Sequence, residues 1–274
     1  MNFFETISEA MSFVFMQRAM IVGIFIAVIS SILGAFLVLK KYSLIGDGLA
    51  HVSFATVALA LALGLSPLLV SLPIVTLASI LIMKLNEKAS LNGDASIGLV
   101  SSFSIALGVI IASKSKGFNI DINSYLFGSI LAIDRVDSYL SVIMSIAMII
   151  IVLIFYQDLF AVTFDEEFSK VSGINTKAIN YVLSILTSIT IVLGMRVLGT
   201  LLISSLIIFP TISSMQVANS FKSLLITGTC IAVFSMVVGL ISSYILNIPS
   251  GPSIVITNTL VFAILYVVGK LLKR

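Results

Sequence analysis

Charge is scarce in this chain. Only 10% of its 274 residues are Asp, Glu, Lys or Arg, against about 25% in a soluble domain, so it cannot cover a water-facing surface. Histidine and cysteine are almost missing, with one of each, His51 and Cys230. A lone cysteine excludes an internal disulfide, and Cys230 reads as a small apolar residue within a span. One histidine leaves no material for a multi-histidine catalytic centre. There is no G-x-x-x-x-G-K-[ST], so ATP is not bound by a P-loop here, and no H-E-x-x-H, which counts against a zinc-dependent intramembrane protease. The net charge of +3 is scattered at the ends of apolar runs and forms no basic stripe, so no nucleic-acid partner is expected. Neither a repeat of fixed 20–50-residue period nor a low-complexity linker divides the chain, which reads as a single domain over residues 1–274.

What is present is apolar. Hydrophobic residues make up 59% of the chain and the mean hydropathy is +1.22. The runs are long and continuous, without strict alternation. In lipid the backbone must satisfy its own polar groups, so such runs are transmembrane helices. The expectation is an all-α polytopic bundle with spans near 19–39, 47–64, 67–84, 95–113, 138–157, 178–195, 198–217, 223–246 and 253–271. The second and third are short and joined at Leu65-Ser66-Pro67. The sixth and seventh are separated only by Met195-Arg196-Val197. Either pair can be a broken or re-entrant segment, so the count is eight or nine. With the N-terminus outside and nine spans, ten basic residues (Lys40, Lys41, Lys84, Lys88, Lys170, Lys177, Lys222, Lys270, Lys273 and Arg274) fall in the cytoplasm. Arg18, Lys114, Lys116, Arg135 and Arg196 fall outside or at the interface, so the balance favours this orientation. Residues 1–18 alternate aromatic and aliphatic side chains with Glu5 and Glu9 and read as an interfacial amphipathic helix. They lack the basic n-region of a cleaved signal peptide.

Two polar features stand out. Asp47 and His51 lie at i and i+4 at the start of an apolar helix, so they share a face. An ionisable residue within a span is costly and points to function. A carboxylate and an imidazole one turn apart form half a site for a borderline divalent cation such as zinc or manganese. The same spacing also fits a helix-terminal carboxylate and a polar residue that pair only with each other. Two ligands do not fill a tetrahedral site; a second copy across a twofold axis would complete it. The other feature is residues 164–175. Asp165, Glu166 and Glu167 suit a helix N-terminus, Gly173 suits its C-terminal cap, and Phe164, Phe168 and Val171 form an apolar face. Such a segment is either a dock for a soluble partner or an ordinary connector. Lesser features are Pro210 within the seventh span, which predicts a kink; Asp94, a helix-terminal acid; and the turn-rich Asn247 to Ser253.

The stretch Phe36 to His51, with the basic pair Lys40-Lys41, a small hydrophobic step, Gly46-Asp47 and Ala50-His51, resembles the membrane permease of the zinc/manganese ABC importers. Four further blocks match in order: Ser124 to Gly128, Asp165 to Gly173, Gly199 to Pro210 and Pro249 to Ser253. The departures are Ala50, where many relatives have serine, and Thr56-Val57, where a Pro-Gly pair is common. The resemblance implies a type II-like importer permease in the bacterial cytoplasmic membrane, acting as a homodimer and not itself an enzyme. It implies two copies of a cytosolic ABC ATPase docked on the coupling segment, with Asp165, Glu166, Glu167, Phe168 and Gly173. An extracytoplasmic metal-binding protein would deliver the ion, and Asp47 and His51 would be the metal ligands of the path. No cofactor is expected to be permanently bound; the metal is the cargo. The wording of residues 124–130 is closer to the zinc members, which sets zinc ahead of manganese or iron. A stand-alone secondary carrier explains the spans and the Asp/His pair, but not a capped acidic segment suited to docking.

Overall fold

The computed structural model describes residues 9–88, 93–114, 128, 135–199 and 203–272. The expectations placed on residues 1–8, on Lys116, on Ser124-Tyr125-Leu126-Phe127 and on Thr200 to Leu202 lie outside the described residues, as does the side chain of Arg196. Every regular element described is helical: α1 (Val14–Leu39), α2 (Ile45–Ala62), α3 (Pro67–Lys88), α4 (Gly93–Lys114), α5 (Arg135–Ile154), α6 (Tyr156–Phe164), α7 (Glu166–Val171), α8 (Thr176–Leu198), α9 (Ile203–Met215), α10 (Phe221–Leu246) and α11 (Ser250–Leu272). Eight of these, α1–α5, α8, α10 and α11, are long and apolar enough to cross a membrane.

Several boundaries differ from those the sequence suggests. Residues 9–12 form one helical turn, Phe13 breaks it with extended backbone, and α1 begins at Val14. Residues 14–18 therefore belong to the first span and not to an interfacial helix. α2 and α3 are both complete spans, because the chain turns at Gly64, whose φ of +67° a side chain would oppose. α8 runs straight through residues 195–197 and ends only at Leu198, followed by Gly199 at φ +85°. The seventh segment is then the short α9. Its 13 residues rise about 20 Å at about 1.5 Å each, less than the roughly 30 Å hydrocarbon core. Pro210 is accommodated inside it.

The helix ends sort by charge. An ion pair joins Lys40 to Glu166, and Phe221 at the start of α10 packs on Phe36, Tyr156, Phe160 and Phe164, with centroids 5.1–6.1 Å away. Gln216 after α9 meets Gly269 near the end of α11. These contacts gather Lys40, Lys41, Lys170, Lys177, Lys222 and Lys270 at one end of the bundle. Arg18 and Arg135 line one cavity at the other. The lysine-rich end is cytoplasmic by the positive-inside rule. α9 must descend to it, since α8 leaves from that end and α10 starts there.

Lipid offers no hydrophobic drive for helix association, so close backbone approach and interhelical hydrogen bonds hold the bundle. A Cβ at Gly34 on α1 would fall 2.1 Å from the Ile207 carbonyl oxygen of α9, and one at Gly239 on α10 would fall 2.6 Å from the Ile254 Cα of α11. The Thr56 hydroxyl donates to Ser71 across α2 and α3 at 2.7 Å, Thr76 and Ser188 share a proton across α3 and α8 at 2.9 Å, and Ser79 pairs with Ser184. α1 and α8 are mostly buried; α5 and α11 present most of their surface outward.

Candidate functional site

Asp47 is the third residue of α2, and Leu44, the residue before the helix, makes no side-chain cap. The Asp47 carboxylate is therefore not spent on capping. Its Oδ2 lies 3.5 Å from Nε2 of His51; the imidazole is 20% exposed and the carboxylate 49%. Two donors on one ion, with bonds of about 2.1 Å at a tetrahedral angle, stand about 3.4 Å apart. The pair already has the spacing of a chelating edge. The glycines on either side explain the local sequence. A Cβ at Gly48 would lie 2.5 Å from Ile97 Cγ2 on α4, and one at Gly46 would lie 3.1 Å from Ile207 Cδ1 on α9. The first turn of α2 is thus clamped between two helices, and the Asp47 side chain remains half exposed. Among the described residues no group of three or more His, Cys, Asp or Glu side chains comes together, so one copy of the chain provides a pair. The pair lies in the first two turns of α2, at the end of that helix next to the 40–44 turn.

Residues 164–175 form a short helix at the cytoplasmic end. The Asp165 carboxylate accepts from the Phe168 N–H at 2.8 Å as the N-cap of α7. Gly173, at φ +87°, donates its N–H to Lys170 O, and Ile174 donates to Ser169 O, closing the C-terminus. Glu167 pairs with Lys170 at 2.7 Å on the surface. Phe164, Phe168 and Val171 are 58%, 67% and 88% exposed, an apolar face on the cytoplasmic side that no other described residue covers.

A third cluster was not expected. The Lys40 ammonium donates to Asn180 Oδ1 and lies 3.7 Å from Glu166 Oε2; Asn180 Nδ2 donates to Glu166 Oε1 at 3.2 Å. Burial pushes the lysine below its usual pKa, and Glu166 opposes that shift. The signal available in sequence was the basic pair Lys40-Lys41 and a lone asparagine in the first turns of an apolar helix. Neither names its partner. Asp94 stands exposed in the first turn of α4, a helix-terminal acid. Asn258 on α11 is fully buried, with both side-chain polar atoms unpaired.

Residues 12–269 match the ABC 3 transport family. The chain belongs to this family. It is 31% identical over 273 residues to the manganese import system permease protein ScaB of Streptococcus gordonii, covering 98% of each chain. It is 30% identical to the high-affinity zinc uptake system membrane protein ZnuB of Haemophilus influenzae, covering 90% of this chain and 94% of that one. Among solved structures, PsaBC from Streptococcus pneumoniae in complex with Fab superposes with a TM-score of 0.86 at 30% identity, over 97% of this chain and 95% of that one. As a member of the ABC 3 transport family with eight membrane-length helices, the chain is a multi-pass protein of the bacterial inner membrane. The named relatives are permease components of metal transport systems, and the family match extends over all the helices from α1 to α11.

Proposed function

We propose that this chain is the permease of an ABC importer that passes a divalent transition-metal ion into the cytoplasm, with Asp47 and His51 as transient ligands in the path. The observation that carries this is the Asp47–His51 pair itself. It is preset at a chelating distance on α2, is partly open, and is held by helices on two sides in a family whose named relatives move manganese and zinc. One copy supplies two donors, so a twofold homodimer gives the ion two carboxylates and two imidazoles. Binding of this kind strips part of the hydration shell and still releases the ion. The exposed apolar face of α7, on a helix closed at both ends by Asp165 and Gly173, suits a separate cytosolic ATPase; Glu166 and Glu167 frame its first turn. A metal-binding protein at the external face delivers the cargo.

Carboxylate oxygen and imidazole nitrogen serve manganese and zinc alike. Relatives of comparable identity carry both names, and the zinc preference expected from residues 124–130 rests on wording outside the described residues except Gly128. The test is uptake of each radiolabelled ion by cells carrying Asp47→Ala or His51→Ala at normal protein levels. Loss of uptake in both variants supports the ligand assignment, and normal uptake in either overturns it. Whichever ion is taken up by the unaltered chain and competes at the lower concentration is the cargo. For docking, Gly173→Pro combined with Glu166→Lys weakens co-purification of the ATPase; a complete complex would exclude that role.

A further inference from the structure

The Lys40–Asn180–Glu166 cluster joins three elements of the chain. Glu166 is the first residue of α7, the helix assigned above to docking. Asn180 lies in the first turns of α8. Lys40 closes α1 and begins the turn that leads into α2. The Lys40 side chain is 8% exposed and Glu166 37%, so the charge on the permease side is the buried one. A buried ammonium is costly to leave without a partner. Any displacement of Glu166 must therefore draw Lys40 with it or break the cluster.

Lys40 is tightly tied to the metal pair. The N–H of Lys40 donates to Phe36 O, that of Lys41 to Val38 O, that of Tyr42 to Leu37 O at 2.8 Å and that of Ile45 to Tyr42 O at 3.1 Å. The turn is thus stitched into α1 behind it and α2 ahead of it. Lys40, Tyr42, Ile45 and Asn180 also wall one small cavity. Asp47 follows Ile45 by two residues. Gly46 and Gly48, pressed against Ile207 and Ile97, leave the first turn of α2 able to move only together with what it packs on.

We propose that Lys40 is a positioning residue that couples the docking helix α7 to the Asp47–His51 pair, through Glu166 and Asn180 on one side and the hydrogen-bonded 40–45 turn on the other. The inference rests on the importer reading above and adds the route by which the ATPase governs the metal site. Lys40 touches neither the ion nor the ATPase.

The experiment uses the full permease–ATPase complex in liposomes, with ion uptake and ATP hydrolysis measured together and metal binding measured by calorimetry. Lys40→Met fills the same buried space without charge, and Glu166, being partly exposed, is left to water and Asn180. The expected result is an assembled complex with unchanged metal affinity, in which ions moved per ATP hydrolysed fall about tenfold. Lys40→Arg restores the ratio to within about twofold. A purely structural brace would lower thermal stability or assembly and leave the ratio alone, and an unchanged ratio in Lys40→Met overturns the proposal. Should Lys40→Met not assemble, Glu166→Gln is measured for the same ratio, and an unchanged value overturns it equally. Failure of the importer reading shows separately, as normal uptake by Asp47→Ala, and would remove this inference with it.

Discussion

Two polar clusters flank the 40–44 turn, and they differ in how their charges are met. Lys40, Asn180 and Glu166 come from three separate elements, and each group answers another. Asp47 and His51 come from one helix and, among the described residues, pair with each other at 3.5 Å, with half of the Asp47 side chain still open. The first arrangement is complete within the chain. The second has lone pairs that no other described side chain takes up. In a membrane interior, where an unmet charge is expensive, the contrast fits a joint in the first case and the proposed binding site in the second. Both clusters hold charge, and only the count of partners tells them apart.

The largest test of the contrast is Asp47→Asn. It keeps the shape and removes the anionic donor, so metal uptake falls on the order of a hundredfold, while the thermal unfolding midpoint in detergent stays put. A clear drop in that midpoint would place Asp47 among the structural braces. Glu166→Ala does the reverse. It leaves the Lys40 ammonium buried beside Asn180 alone, and thermal unfolding should show a loss of about 1–3 kcal/mol, reduced from the fully buried case because Glu166 is partly exposed. Combining Lys40→Met with Glu166→Gln recovers most of that loss; no recovery would show that the pair is not what Glu166 stabilises.

The glycines sharpen the comparison at the metal pair. Gly48→Ala drives a methyl to 2.5 Å from Ile97 Cγ2, whereas Gly46→Ala meets only the end of the Ile207 side chain at 3.1 Å. The first should cost about 1–3 kcal/mol and the second less, checked by the same unfolding measurement; equal costs would deny the clamp by α4. The smallest effect is a pH dependence. Burial lowers the pKa of Lys40 in the folded chain below its ordinary 10.5. Between the two values the unfolded chain holds more protons, so stability rises with pH there. At neutral pH both states are charged and the burial cost is borne in full. Wild-type protein should gain stability in the alkaline window below 10.5 relative to Lys40→Met, and parallel profiles would show that the ammonium is not buried as described.

What could be foreseen in the sequence follows from range. Asp165 and Gly173 were legible because capping is local: an acid three residues before the N–H it accepts from, and a glycine where φ must be positive. Asp47 and His51 were legible because four residues on a helix make one face. Lys40 and Asn180 are 140 residues apart, and no local rule joins them. The short α9 was foreseen only within one of two pairs that could hold a broken segment, and its bounds were missed for a different reason. Hydropathy sums apolar residues across a break without noticing it, so residues 198–217 summed to a span, although the helix only begins at Ile203. The same blindness merged Phe155, where α5 gives way to α6, into one apolar run.

The i, i+4 spacing of Asp47 and His51 also has a genetic meaning. On the proposed twofold arrangement, an altered Asp47 leaves its half of the shared site with the His51 imidazole alone. In a cell making intact and Asp47-altered chains in equal amounts, random pairing leaves roughly a quarter of twofold dimers with a full donor set. Uptake falling towards a quarter on co-expression would fit the shared site, and a fall only to about half would fit sites that each copy holds alone.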